Sequence, residues 1–311
     1  MRIFFLGLTL VATAALATTY LPPDKRSWEQ VTADFTAREA QHANNGEDDG
    51  RRLKELDPKR AAAFLIPFLA KSRPYGLRVK AIGALGWSSF QEAISALSAI
   101  ALDPTDNEEI RTEALNPGLR YMKHPEAVKT ASALAADKSV SIRSGAYWVL
   151  SAHGTDEAIE VLSARLRGND TPLLEQLIYA LAYSKHRRAG EIIFDSINFP
   201  TLLRDEQQLL AYAVAMMQYR IPEAQQNMLI IARQANRPLS CYYALRYFGS
   251  FPREDVVPAL VAYIEANMSV RDLYDTVTAF IKGAKVSDES KAKLSAFIAN
   301  GKVEKTERLI H

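Results

Sequence analysis

Cysteine is almost missing from this sequence: Cys241 is the only one among 311 residues. No disulfide can form within the chain, and no thiolate pair is there to hold a metal. Histidine is scarce as well. His42, His124, His153, His186 and His311 are scattered one per region, with no His-x-x-x-His and no His-Glu pair, so no ligand set has the spacing a metal centre needs. Gly-x-Ser-x-Gly, a Walker loop and Gly-x-Gly-x-x-Gly are all lacking, which removes the common nucleophile and phosphate-cradling motifs. An excess of one charge is lacking too. Lys and Arg number 38 against 36 Asp and Glu, a formal net charge of +2, whereas a nucleic-acid groove shows as a strong basic excess. Apolar residues recur at helical spacing along most of the chain, so no β-sheet is expected. Metal, cofactor and nucleic acid are therefore left out of the expected partners.

What the sequence does have is a repeat. Glu92-Ala93, Glu126-Ala127, Glu157-Ala158, Ala189-Gly190, Glu223-Ala224, Glu254-Asp255 and Glu289-Ser290 each follow a break and open an apolar helical run, at separations of 34, 31, 32, 34, 31 and 35 residues. A period near 33 signals stacked supersecondary units rather than one globular core. Within 139–170, Ile142, Ala146, Val149 and Leu150 share one face of a first helix. Gly154 suits the break that follows, and Thr155 or Asp156 can cap a second helix that buries Ala158, Ile159, Leu162 and Leu166. Other breaks fall at Trp87-Ser88-Ser89, Lys123-His124-Pro125, Lys185 to Arg188, Arg220-Ile221-Pro222, Phe251-Pro252 and Lys285-Val286-Ser287. The recurring Glu sits where a carboxylate offsets the positive end of a helix. These features predict an all-α fold, a right-handed α-solenoid of about seven stacked helical hairpins with an N-terminal cap. Pro58 to Ser72 is expected to be the second helix of an eighth, degenerate pair.

The run Asp137-Lys-Ser-Val-Ser-Ile-Arg143, followed by Ala146, Leu150, Gly154 and Glu157-Ala158, resembles the short bacterial HEAT-like repeat, which also occurs in bilin lyases. Leu77-Arg78-Val-Lys-Ala-Ile-Gly-Ala-Leu-Gly86 and Ile110-Arg111-Thr-Glu-Ala-Leu115 resemble it too. The last four repeats depart from it: Glu175 stands in the place of the Arg, and the later units lack it. The resemblance spans about 58–300 and implies a scaffold, inhibitor or adaptor more readily than an enzyme.

Residues 1–17 carry Arg2, an apolar stretch from Ile3 to Ala14 and the small-x-small site Ala15-Leu16-Ala17, the pattern of a cleaved export signal. The apolar stretch is short for a membrane span, which takes ~20 residues; an uncleaved anchor is the alternative. No Cys is near the site, which excludes a lipoprotein. Together with the bacterial resemblance, this predicts a periplasmic chain beginning near Thr18. Residues 18–57 form an extension: a helix from Trp28 to Gln41 with Trp28, Val31 and Phe35 on its apolar side, expected to cap the array, then a mobile acidic loop from Asn44 to Gly50. Residues 301–311 form a charged tail.

Two faces compete as binding surface. At 100° per residue, Tyr179 and Tyr183 lie roughly 140–180° from the core stripe of their helix. Tyr212 and Tyr219, and then Tyr243 and Tyr247, fall the same way on the next two first helices. Six tyrosines on one side make a candidate protein-binding surface, since tyrosine joins apolar area to a wet hydroxyl. The rival face, on the second helices, offers Lys129, Glu160, Arg167, Asp195 and Gln225. The basic clusters Lys71, Arg73, Arg78 and Lys80, and Lys185 to Arg188, read as solvated loop edges. Cys241, in phase with Leu245 and Phe248, reads as a buried filler. The expected function is non-catalytic protein binding in the periplasm, as an envelope scaffold or as an immunity protein that sequesters a toxin. An enzyme or ligand carrier with a pocket inside the superhelix is the alternative.

Overall fold

Helices alternate with short breaks all along the described chain. The computed structural model describes residues 24–37, 45–168, 170–234, 236–267 and 273–304; the expected export signal lies outside them. Among the described residues there is no strand, as expected; even the alternating stretch Val31 to Ala37 is helical. The chain divides into two compact units, Met1–Ala93 and Ile94–His311.

In the first unit, α1 spans Trp28–Ala37, α2 Asn45–Leu56, α3 Pro58–Leu65, extended by a 3-10 turn at Ile66–Leu69, and α4 Tyr75–Trp87. Residues 45–50 do not form the mobile loop expected from their polarity. They are the first turns of α2, and the reason is steric. Gly46 and Gly50, one turn apart, lay a smooth strip against the backbone of α4; a Cβ on Gly50 would come within 2.5 Å of the Ala84 carbonyl oxygen. So close an approach buries Asp49 and Lys80, which pair at 3.0 Å, and Arg26 closes on the same carboxylate at 2.9 Å. Lys80 also donates to the Phe35 carbonyl. Arg78 and Lys80 are thus interior groups, not the solvated loop edge their cluster implied. Val31 and Phe35 of α1 are buried as expected, with Phe35 5.7 Å from Phe64 and 5.4 Å from Phe68.

The second unit opens with α5 (Ile94–Leu102). Helix pairs then follow: α6 (Glu108–Glu113, running into a π turn at 114–119) with α7 (Pro125–Leu134); α8 (Val140–His153) with α9 (Asp156–Arg167); and α10 (Leu174–Tyr183) with α11 (Ala189–Ser196). A four-residue helix, α12 (Phe199–Leu202), precedes α13 (Glu206–Tyr219) and α14 (Gln225–Ala232). The last pairs are α15 (Pro238–Phe248) with α16 (Val257–Ala266) and α17 (Tyr274–Lys282) with α18 (Asp288–Ala299). First helices α6, α8, α10, α13, α15 and α17 pack each on the next, and α5, α7, α9 and α11 form a second row. Asn107, His124, Ser139, Thr155, Asp205 and Ser287 cap the helices they precede with side-chain acceptors. Several breaks use a left-handed residue: Gly154 (φ 57°), Lys185 (58°) and Arg220 (54°).

Polar side chains then tie each pair to the next. Lys123 donates to the Ala152 carbonyl and Gln218 to that of Ala182, capping the ends of first helices in the adjacent pair. Arg111 pairs with Asp137 at 3.2 Å, and Arg143 holds Asp170 through two bonds of 2.8 and 3.0 Å. The recurring Glu takes part: Glu254 accepts from the Ser287 N–H and from the Ser287 and Ser290 hydroxyls. The motif arginines have a second task. Arg78 and Arg111, each the fourth residue of its helix, send Nε to the carbonyls of Leu69 and Ala101. Cys241 is the fourth residue of α15, and its thiol donates to the Ala232 carbonyl at 3.2 Å. It fills the arginine's place with a smaller donor.

Candidate protein-binding face

The tyrosines predicted to share one outer side are split by the structure. Tyr212 and Tyr247 are sealed in the core, and Tyr179 is buried as well. Tyr219 and Tyr243 are half-buried, and Tyr183 alone of the six is open, at 44 % exposure. A single core stripe is the wrong picture for a helix flanked on both sides. In α13 every residue from Leu209 to Met216 is buried, so a position opposite the stripe still meets a neighbour. Phe199 of α12 lies 5.5 Å from the Tyr212 ring, and Asn227 donates to its hydroxyl. Tyr247 packs on Phe248 and Phe251 and donates to the Ile221 carbonyl at 2.6 Å. The Tyr219 hydroxyl sits 2.9 and 2.8 Å from the carbonyls of Leu181 and Ala182, ending α10. Room for that ring comes from Gly190, where a Cβ would stand 2.5 Å from the Tyr219 Cβ. This accounts for Gly190 where other repeats carry Ala.

The open tyrosine belongs to a different group, which joins consecutive first helices. Tyr183 stacks on Tyr179 one turn back (5.9 Å, 16°) and lies 6.3 Å from Trp148 of α8. The Arg120 guanidinium covers Trp148 at 5.0 Å. From the far side of α13, Tyr243 of α15 comes close enough for its phenol to influence those of Tyr179 and Tyr183. Burial raises the Tyr183 pKa, with a further push from Tyr243. Burial likewise lifts the Glu175 carboxyl above its ordinary range, helped by Asp205, although the start of a helix favours a carboxylate. Val140 and Leu239, at 45 % and 59 % exposure, stand on α8 and α15. Trp148 and Glu175 were not singled out for this face in the sequence. The signal was present as Val140, Ser144 and Trp148, and Glu175, Tyr179 and Tyr183, each at four-residue spacing.

The second helices present a polar surface. Lys129, Glu160, Arg167 and Asp195 are exposed and Gln225 half-buried, as phase predicted. Arg167, Arg188, Glu191, Ile192, Asp195 and Ser196 line an open groove of about 410 Å³. Arg188 pairs with Glu160 at 3.3 Å, and His186 meets Asp156 at 2.9 Å, so this basic cluster bridges repeats. A recess of about 290 Å³ has Ala232, Cys241, Ala259, Ala262 and Tyr263 among its lining residues. Burial pushes the Cys241 thiol up to about 11, which suits the buried filler expected there and not a nucleophile. No group of three metal-ligating side chains occurs among the described residues, and none of their helices is long and apolar enough to cross a membrane.

Compared with known families, residues 107–182 match HEAT repeats. Those residues run from the cap of α6 to the end of α10, the stretch where Arg111, Arg143, Asp137 and Asp170 join neighbouring pairs. The chain is a HEAT-like repeat protein. None of the curated proteins matches it. HEAT repeats generally mediate protein–protein contact, and the fold is typically non-catalytic. In this HEAT-like chain the matched segment carries Trp148, Glu175 and Tyr179, with Tyr183 directly after it.

Proposed function

We propose that this HEAT-like chain is an exported, non-catalytic protein-binding protein of the periplasm, serving as an envelope scaffold or as an immunity protein that sequesters a toxin. The observation that carries the binding role is the row formed by Trp148, Tyr183 and Tyr179 on adjoining first helices. In that row Tyr183 is open to solvent and Trp148 half-buried, both set on the buried Tyr179, and rigid aromatic area on a packed scaffold is what recognition surfaces concentrate. The export part rests on Arg2, the apolar run to Ala14 and Ala15-Leu16-Ala17.

Affinity purification of the full chain from a periplasmic fraction, followed by mass spectrometry, tests both parts. The expected result is a mature chain beginning near Thr18 and a stoichiometric protein partner, lost on Tyr183→Ala combined with Trp148→Ala while helicity is kept. A chain found only in the cytoplasm would reject the location. A partner retained by the double variant would reject this face. The gene neighbourhood separates the two roles: an adjacent effector gene points to immunity, and an envelope-assembly operon to a scaffold.

A further inference from the structure

Glu175 poses a problem in charge. It stands in the first turn of α10, half-buried, and among the described residues it takes no hydrogen bond and no ion pair. Asp205, the acidic group that acts on it, adds repulsion and is itself occupied, accepting from the backbone N–H groups of Gln207 and Gln208 at the start of α13. Removing a carboxylate from water without a counter-charge is unfavourable. Of the aromatic rings on this face, Tyr183 is the one open to the same kind of counterpart. Tyr179 and Tyr183 continue the face of Glu175 at successive turns, Trp148 flanks them, and ring faces carry negative potential that attracts cations. Within the molecule these rings already accept a guanidinium, since Arg120 lies over Trp148. Exposed Val140 and Leu239 add apolar area on the helices to either side of α10 and α13.

We propose that this face of α10 receives an arginine side chain presented by a partner protein, its guanidinium pairing with the Glu175 carboxylate at the edge of the aromatic group whose open member is Tyr183. Arginine fits better than lysine because its planar cation stacks on rings and pairs with a carboxylate at the same time. The inference rests on the protein-binding reading and gives it a chemistry: the partner docks a basic residue flanked by apolar ones.

A random peptide library displayed on phage, panned against the full chain, tests this. Glu175→Gln and Tyr183→Ala variants are panned in parallel, and thermal melts confirm that each is folded. The expected result is a peptide family with one recurrent arginine and neighbouring apolar residues. A synthetic member should bind about tenfold more tightly than its citrulline twin, which keeps the shape and lacks the charge. Glu175→Gln should remove most of that difference without lowering the melting temperature, and Tyr183→Ala should weaken both peptides. Enriched peptides without a basic residue, or an arginine preference that survives Glu175→Gln, would overturn the inference and leave protein binding in place. Enrichment of nothing on the native chain would overturn both.

Discussion

At the scale of single residues, three polar groups drawn wholly or partly out of water set what the fold tolerates. Burial works against the Asp170 carboxylate, yet bonds from Arg143 and from the Tyr147 hydroxyl (2.7 Å) more than offset it and hold its pKa below the ordinary range. Asp170→Ala would leave Arg143 uncompensated and should cost about 3–5 kcal/mol in chemical denaturation. His153 behaves oppositely. Burial, and then the charge of Lys123, lower its pKa, and its Nε2 is enclosed without a partner. A depressed imidazole pKa means that the unfolded chain binds the proton more tightly, so stability is full above the unfolded value near 6.5 and declines as pH falls through it. Denaturation midpoints at pH 7 and pH 5 should therefore diverge in the native sequence and converge in His153→Asn. Glu175 is the third: burial, and then the charge of Asp205, raise its pKa above the ordinary carboxylate range. The Asp and Arg of the repeat were legible as a motif, but their partners, one period away, were not.

At the scale of elements, first helices, second helices and most breaks follow from apolar spacing and from Gly, Pro, Ser and Asp at turns. What the spacing missed was closeness. Gly46 and Gly50 looked like loop formers in an acidic stretch, and only their contact with α4 makes them helix-packing residues. Gly50→Ala should force α2 away from α4, at a cost of about 2–4 kcal/mol, read as faster amide exchange confined to α1, α2 and α4. A survival of those protection factors would contradict the packing role. The tyrosine face failed for a related reason: α12, four residues long, is too short for a periodic signal, yet Phe199 from it covers Tyr212.

At the scale of the whole molecule, the second unit is a linear stack, so stability passes between neighbours rather than through one centre. Its last member is the weakest. Leu294 is the only buried residue of α18, whereas α13 is buried along most of its length. Native-state amide exchange should be fastest in α18, intermediate in α15 and slowest in α13. Uniform protection along the stack would mean a single cooperative core. The period, the helical class and the family resemblance were all readable from sequence, because a repeat writes its architecture many times. For the proposed binding face the sequence showed only the four-residue spacings within each helix, and not which helices come together, because α8 and α10 do not adjoin in sequence.

The substitution of Cys241 for the repeat's arginine has a practical consequence. It supplies a single built-in reporter of breathing in the stack. The thiol is 2 % exposed, and burial pushes its pKa up to about 11, so alkylation should be much slower than for a free thiol and should speed up when α15 lifts from α14. Labelling rate then becomes a clock for that opening in the unmodified protein, and a partner that clamps Tyr243 on the same helix should slow it.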